Sequence, residues 1–357
     1  VHAMSQYNKF FDGFHDWTHM HDRVWYLSVP KSFFDDARSA GPFEFLVAIS
    51  FSFEYVLTNL LFVPFMSGAA YNGDMATVTF GFSAQSDEAR HMTLGLEVIK
   101  FLLEQDEANV PIVQKWIDKW FWRGSRMLAI VGMMMDYMLP NKVMSWKEAF
   151  EVYFEEAGGA LFKDLARYGI RMPMGVETTI QEKEHISHQA WWTFYTYGHA
   201  AGFHTWIPTD QELDWLSEKY PDTFDKYYRP RWELAKKLEA EGKRIYHNAL
   251  PQLCNTCQIP MLFTEMSNPG QTAYRVSEYK GDKYHFCSDG CQHIFDDEPE
   301  KYVQAWLPAH QIYMGNCGGP EVPDILRDYY HFNLGADNLD MKGSPDEQRW
   351  NEWKKQG

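Results

Sequence analysis

Cysteine is missing from the first 253 residues of this 357-residue chain, and only five follow, at positions 254, 257, 287, 291 and 317. An odd, late set excludes the framework of a secreted disulfide protein and points to a cytoplasmic chain whose close pairs bind metal. Positive charge is short as well. Against 49 Asp and Glu stand 33 Lys and Arg, a net charge of −16, and no Lys/Arg block interrupts the pattern. Nucleic-acid binding and docking on anionic lipid are thereby disfavoured. No charged stretch followed by a short apolar run opens the chain, so no signal peptide is read. There is no glycine-rich dinucleotide loop and no four-cysteine ferredoxin spacing, so any electrons must come from another protein. Strand-like alternation is scarce before residue 205, and no internal repeat or low-complexity tract is visible.

What the chain has in excess is aromatic bulk: 14 Trp, 20 Tyr and 25 Phe, 17% of all residues, which implies well-filled interiors. Residues 1–205 read as helices punctuated at Gly41-Pro42, Asn72-Gly73-Asp74, Leu139-Pro140-Asn141 and Met172-Pro173. Residues 206–250 are polar and broken by Pro208, Pro221 and Pro230, a helical extension. Residues 251–305 hold the paired cysteines, and 306–357 form a loop-rich tail. The expected fold class is all-α with a small C-terminal α+β module. Residues 1–34 are already dense in Trp, Tyr, Phe and His, which suggests that the sequence begins inside a domain.

Phe45–Met66 is apolar nearly all round, with Glu54 its only charge. It is long enough to span a bilayer. No second span and no Lys/Arg-rich flank accompany it, so a central helix buried on every side is expected instead. A lone carboxylate there needs a proton, an arginine or a metal. Asp87-Glu88-Ala89-Arg90-His91 is the second feature. Ala84, Glu88, His91, Gly95, Val98 and Leu102 share one helical stripe, so Glu88 and His91 face inward and can reach one ion. Their donors suit Fe, Mn or Zn. The plainer alternative is a surface Glu beside a core His. A lone Glu followed by Glu-x-x-His is half of the four-helix carboxylate site. Thr58, at i+4 from Glu54, either faces the metal or bonds back to its own helix.

A second half could lie within the chain: Glu151 with Glu182 and His185. Helical phase opposes it. Trp146, Ala149, Phe150, Tyr153, Ala157 and Ala160 form the apolar face of their helix, while Glu148, Glu151 and Glu155 project away. Glu182 and His185 sit in a polar run, 181–188, and are expected to be solvated.

Cys254-x-x-Cys257 and Cys287-x-x-x-Cys291 flank the turn residues Asn268-Pro269-Gly270. Two close pairs brought together make a tetrahedral four-sulfur site that favours structural zinc. Short strands are expected around 272–278 and 283–286. His285 and His293 are possible substitute ligands, and Cys317 has no assigned role.

Five stretches carry a family resemblance: Asp22–Phe34 (DRVWYLSVPKSFF), Ala40–Ala70 (AGPFEFLVAISFSFEYVLTNLLFVPFMSGAA), Ser83–Leu94 (SAQSDEARHMTL), Gly158–Ile170 (GGALFKDLARYGI) and Tyr284–Cys291 (YHFCSDGC). Over essentially its whole length the chain resembles the large (alpha) hydroxylase subunit of bacterial multicomponent phenol hydroxylases, which are soluble di-iron monooxygenases. The resemblance implies a ferritin-like bundle that hydroxylates phenol-type rings to catechols with O2. It makes Glu54, Glu88 and His91 iron ligands and Thr58 the residue handling oxygen and protons. Asp87 and Arg90 become residues that hold ligand histidines, and Phe33, Ile49, Phe53 and Phe62 become the substrate lining. It also implies a zinc element at the cysteines and NADH acting only through a partner reductase. A regulatory protein and smaller hydroxylase subunits complete the expected assembly. The family's first half-site, another Glu and another Glu-x-x-His, is expected upstream of Val1. The chain alone is therefore expected to be inactive. The rival in the binding class is a metal-free structural subunit of such a complex.

Overall fold

Sequence that is apolar on every side drives a helix inward, and the described bundle is arranged around one. The computed structural model describes residues 28–303 apart from 140, 202–205, 244, 246–253, 260–262 and 266. Cys317 and the expected tail, 306–357, lie outside the described residues, as does the start of the chain. α1 (Ser28–Arg38) leads into α2 (Pro42–Tyr71), which begins with proline in the first turn, where its missing N–H leaves no bond unmade. The middle of α2, Val47–Thr58, is wound as a π-helix. α3 (Met75–Gln105) returns beside it, started by Asp74, whose side chain accepts the Thr77 N–H at 3.0 Å. α4 (Asn109–Ser125) covers the opposite flank. By length and composition α2 could cross a membrane, but its π-segment is lodged between α3 and α4.

The buried stripe of α3 is Val78, Gly81, Gly95, Ile99 and Leu103. The expected stripe ended on Val98 and Leu102, so its C-terminal part is one residue out of register. Glu88 is half-buried on this stripe, whereas His91, expected to face inward with it, is exposed.

α5 (Leu128–Met133) runs on as a π turn over Met134–Met138. α6 starts at a Ser145/Glu148 capping box, runs through Trp146–Phe150, takes a π turn at Glu151–Glu156 and ends as Ala157–Ala166. Trp146, Ala149 and Phe150 are buried as expected. The π turn then shifts the phase, so that Phe154 points inward and Tyr153 stays half-exposed. α7 (Val176–Glu182), α8 (Ile186–Ala201), α9 (Asp210–Lys219) and α10 (Arg229–Ala240) follow. Among the described residues, five tryptophans are fully buried: Trp120, Trp122, Trp146, Trp191 and Trp232.

The cysteine region is a compact α+β unit. β1 (Thr264–Glu265) pairs antiparallel with β2 (Asn268–Thr272), and β3 (Arg275–Tyr279) with β4 (Asp282–Phe286). Lys280 and Gly281, both at positive φ, make the two-residue turn that closes β3 on β4. α11 (Asp289–Asp297) and α12 (Pro299–Tyr302) complete it, with α11 packed on α4.

Candidate functional site

Glu54 comes from the π-segment of α2, and Glu88 and His91 from α3. Glu54 is 8% exposed. His91 Nδ1 stands 3.2 Å from Glu54 Oε1 and 3.7 Å from Glu88 Oε2. One ligand atom from each of the three lies within 4.8 Å of the others. Oε2 of Glu54 and Oε2 of Glu88 are buried with no hydrogen-bond donor among the described residues. Burial, followed by the neighbouring charge of Glu88, pushes the Glu54 carboxyl above its ordinary range, while His91 and the Ser50 hydroxyl pull the other way. Two carboxylates held together with uncommitted oxygens want a cation, and the oxygen/nitrogen donor set fits a divalent transition metal. The imidazole side chain is 55% exposed, so these donors form one open side of such a centre.

Thr58 is 4% exposed. Its hydroxyl donates to the Phe53 carbonyl at 3.0 Å, five residues back, as the wider π winding allows. Of the expected aromatic lining, Phe33 is buried and Ile49, Phe53 and Phe62 are half-buried. Phe33 and Phe53 join Phe34 and Trp120 in one ring cluster, with centroids 4.8–6.0 Å apart. Phe34 and Trp120 were absent from the sequence-based set. Asp87 and Arg90 lie one turn apart on α3. Exposed, they pair with each other at 2.8 Å, and among the described residues neither meets His91.

The expectation that Glu182 and His185 are solvated is corrected: they are 3% and 6% exposed. Nor do they form a second half-site. Glu182 is gripped by Arg126 at 2.5 and 3.2 Å. His185 Nδ1 pairs with the Tyr228 hydroxyl at 2.7 Å, and Glu151 pairs with Lys183 at 2.9 Å. Burial pushes the His185 imidazole down to about 4, leaving it neutral.

Cys254, Cys257, Cys287 and Cys291 are wholly buried, free of disulfides and mutually within 4.8 Å. Cys257–Cys287 and Cys287–Cys291 sulfurs are each 3.7 Å apart. A tetrahedron with Zn–S bonds of ~2.3 Å has edges of ~3.8 Å, which these two edges match. Burial pushes the Cys257 and Cys287 thiols well up, which a bound cation in place of the protons would offset. The proposed substitutes do not enter this cluster. His285 pairs with Tyr274, and His293 lines a separate surface cleft with Pro111 and Asp297.

Sequence reasoning missed how α4 and the residue after it hold this unit. Arg123 Nη1 donates to the Thr256 carbonyl at 2.7 Å, and the Trp122 indole donates to Ser288 Oγ at 3.2 Å. Arg126 lies 3.9 Å over the Trp122 ring and 4.2 Å over Phe263. The visible sign was a pair of arginines, Arg123 and Arg126, just after the aromatic run Trp120–Trp122.

Comparison with known proteins follows the same two parts. A family model described as Methane/Phenol/Alkene Hydroxylase matches residues 1–106, and one described as YHS domain matches 266–306. Over 350 residues the chain is 69% identical to the oxygenase component of phenol 2-monooxygenase from Pseudomonas sp. (strain CF600), covering 98% of this chain and 68% of that protein. It is 28% identical to the oxygenase component subunit alpha of the alkene monooxygenase system of Xanthobacter autotrophicus, covering 81% and 58%. Identity to the methane monooxygenase component A alpha chain of Methylococcus capsulatus is 25%, covering 70% and 49%. The chain thus spans about half to two thirds of the length of these relatives. Among solved structures, xenon-pressurized phenol hydroxylase from Pseudomonas sp. OX1 superposes with a TM-score of 0.85 at 71% identity, covering 98% of this chain and 71% of that one.

Proposed function

The chain belongs to the methane/phenol/alkene hydroxylase family, and from that premise we propose that it is an oxygenase-component subunit hydroxylating phenol-type rings to catechols. The overall reaction takes a phenol, O2, two electrons and two protons to a catechol and water. In this reading the described bundle is part of a ferritin-like domain, and Glu54, Glu88 and His91 hold iron from one side. Two bound irons supply the activation of O2. Thr58, buried one turn beyond Glu54, holds or passes a proton through its hydroxyl, whose oxygen can accept while it donates to Phe53. Phe33, Phe53, Ile49 and Phe62 orient a flat ring by apolar contact and keep water away from it. The observation carrying this reading is the convergence of two buried, uncommitted carboxylate oxygens and an imidazole.

Electrons reach the site from a separate NADH-dependent reductase, alongside a regulatory protein and smaller hydroxylase subunits. The four buried thiols hold a structural zinc ion, with no position left open for chemistry. Free buried thiols accord with a cytoplasmic location.

The test is iron content and catechol formation in the oxygenase component assembled with its partners. Glu88→Gln should lower both together. Thr58→Val should leave iron in place and lower the catechol formed per NADH consumed. Unchanged iron content in Glu54→Gln and Glu88→Gln would refute the assignment.

A further inference from the structure

Two serines flank Glu54 on the π-segment, and each is seated against a glycine of a neighbouring helix. Ser50 lies against Gly95 of α3. A Cβ added at Gly95 would fall inside the Ser50 side chain, 2.8 Å from its Oγ and nearer still to its Cβ. Ser52 lies against Gly124 of α4, where an added Cβ would fall on its Oγ, and that hydroxyl donates to the Trp120 carbonyl. Both serines are buried. Gly95 follows His91 by one helical turn and Glu88 by two, on the face that meets α2. Ser50 precedes Glu54 by about one turn on the same π-segment. A close approach between the two ligand-bearing helices therefore lies one turn from Glu54 on α2 and one turn from His91 on α3.

We propose that Ser50 and Gly95 are positioning residues that set the spacing between Glu54 and the Glu88/His91 pair, and so the metal affinity of the three donors. This rests on the iron-site reading given above. Ser52 against Gly124 supplies the backstop. With α4 closed on the far side of the π-segment, bulk added at position 95 cannot be relieved by α2 sliding away, and α3 must move instead. Relief of such an overlap takes a shift on the order of 1 Å. Metal–ligand distances tolerate only about 0.2 Å, so the donors would no longer close on one ion.

The experiment is anaerobic Fe2+ binding by equilibrium dialysis, counting the iron that Glu88→Gln removes, with the near-infrared ligand-field bands of bound Fe2+ as a readout of geometry. Gly95→Ala should weaken Fe2+ binding by about 10–100-fold and shift those bands, with far-UV circular dichroism unchanged. Ser50→Gly combined with Gly95→Ala removes the overlap from the opposite helix and should restore binding to within a few-fold of wild type. Ser50→Thr, which adds bulk to the same contact while keeping the hydroxyl, should weaken binding as Gly95→Ala does and serves if that variant does not fold. Wild-type affinity and bands in both Gly95→Ala and Ser50→Thr would overturn the proposal, as would failure of the double variant to recover. If the wild type binds no iron that depends on Glu88, the iron-site reading falls and takes this proposal with it.

Discussion

Arg126→Met should be among the most damaging single substitutions in the bundle. Arg126 is wholly buried, and its guanidinium makes a two-pronged pair with Glu182, whose side chain is 4% exposed. Methionine keeps much of the length and the contact with Trp122 and Phe263, so the change isolates the charge. It strands a carboxylate in a closed interior, which costs about 3–5 kcal/mol. At roughly 2–4 °C per kcal/mol for a unit of this size, Tm should fall by roughly 6–20 °C. Arg126→Met with Glu182→Leu removes both charges and should recover to within about 1–2 kcal/mol of wild type, because replacing a whole buried pair by apolar groups is often nearly neutral. The assay is equilibrium urea unfolding at pH 7, followed by tryptophan fluorescence and circular dichroism. A single variant within 1 kcal/mol of wild type, or a double variant as unstable as the single, would refute the reasoning.

Three further outcomes follow from the structure. Burial raises the Asp136 carboxyl to about 6, against hydrogen bonds from the Trp146 N–H and the Tyr220 hydroxyl. Its protonation therefore stabilises the fold below the unfolded value near 3.8, and this contribution is lost as pH rises through about 6. Asp136→Asn should accordingly gain on wild type by roughly 3 kcal/mol between pH 4 and pH 7 in paired unfolding measurements; comparing the two at each pH cancels the opposite slope from His185. Cys287→Ser should red-shift tryptophan emission, as should a chelator under the proposal that the four thiols hold metal, because Trp122 is shielded by the cysteine unit and bonded to Ser288. Gly290→Ala should cost about 1–3 kcal/mol in unfolding experiments, since its Cβ would fall inside the Trp122 indole, 2.5 Å from Cδ2.

The central helix and its lone glutamate were legible because an apolar run with one charge has few physical solutions. So was the pairing of Glu88 with His91, because spacing at three and four residues is a property of the α-helix itself. The cysteine unit could be read from its spacing, and β3 and β4 fall within three residues of where turn and strand residues put them. What could not be read had two causes. The π windings at Val47–Thr58 and Glu151–Glu156 change the period, so faces assigned at 3.6 residues per turn drift, as at Phe154. And Glu182 and His185 look solvated because the run 181–188 around them is polar but for Ile186. Their partners, Arg126 and Tyr228, lie 56 and 43 residues away. A buried polar residue satisfied by a distant one leaves no local trace. Ser50 and Gly95 were invisible for a related reason: small residues signal a close approach only when the facing helix is known.

The grip of α4 on the cysteine unit sets an order of events during synthesis. Trp122 leaves the ribosome 166 residues before Ser288, the group that its indole finally bonds. At roughly 5–20 residues per second, that interval lasts about ten to thirty seconds. Throughout it the Trp122 and Arg126 face of α4 lacks its cover, and the last two thiols that would hold metal have not yet been made. Burial of this face therefore waits on synthesis of the cysteine unit, and until then the aromatic side of α4 is open to chaperones and proteases.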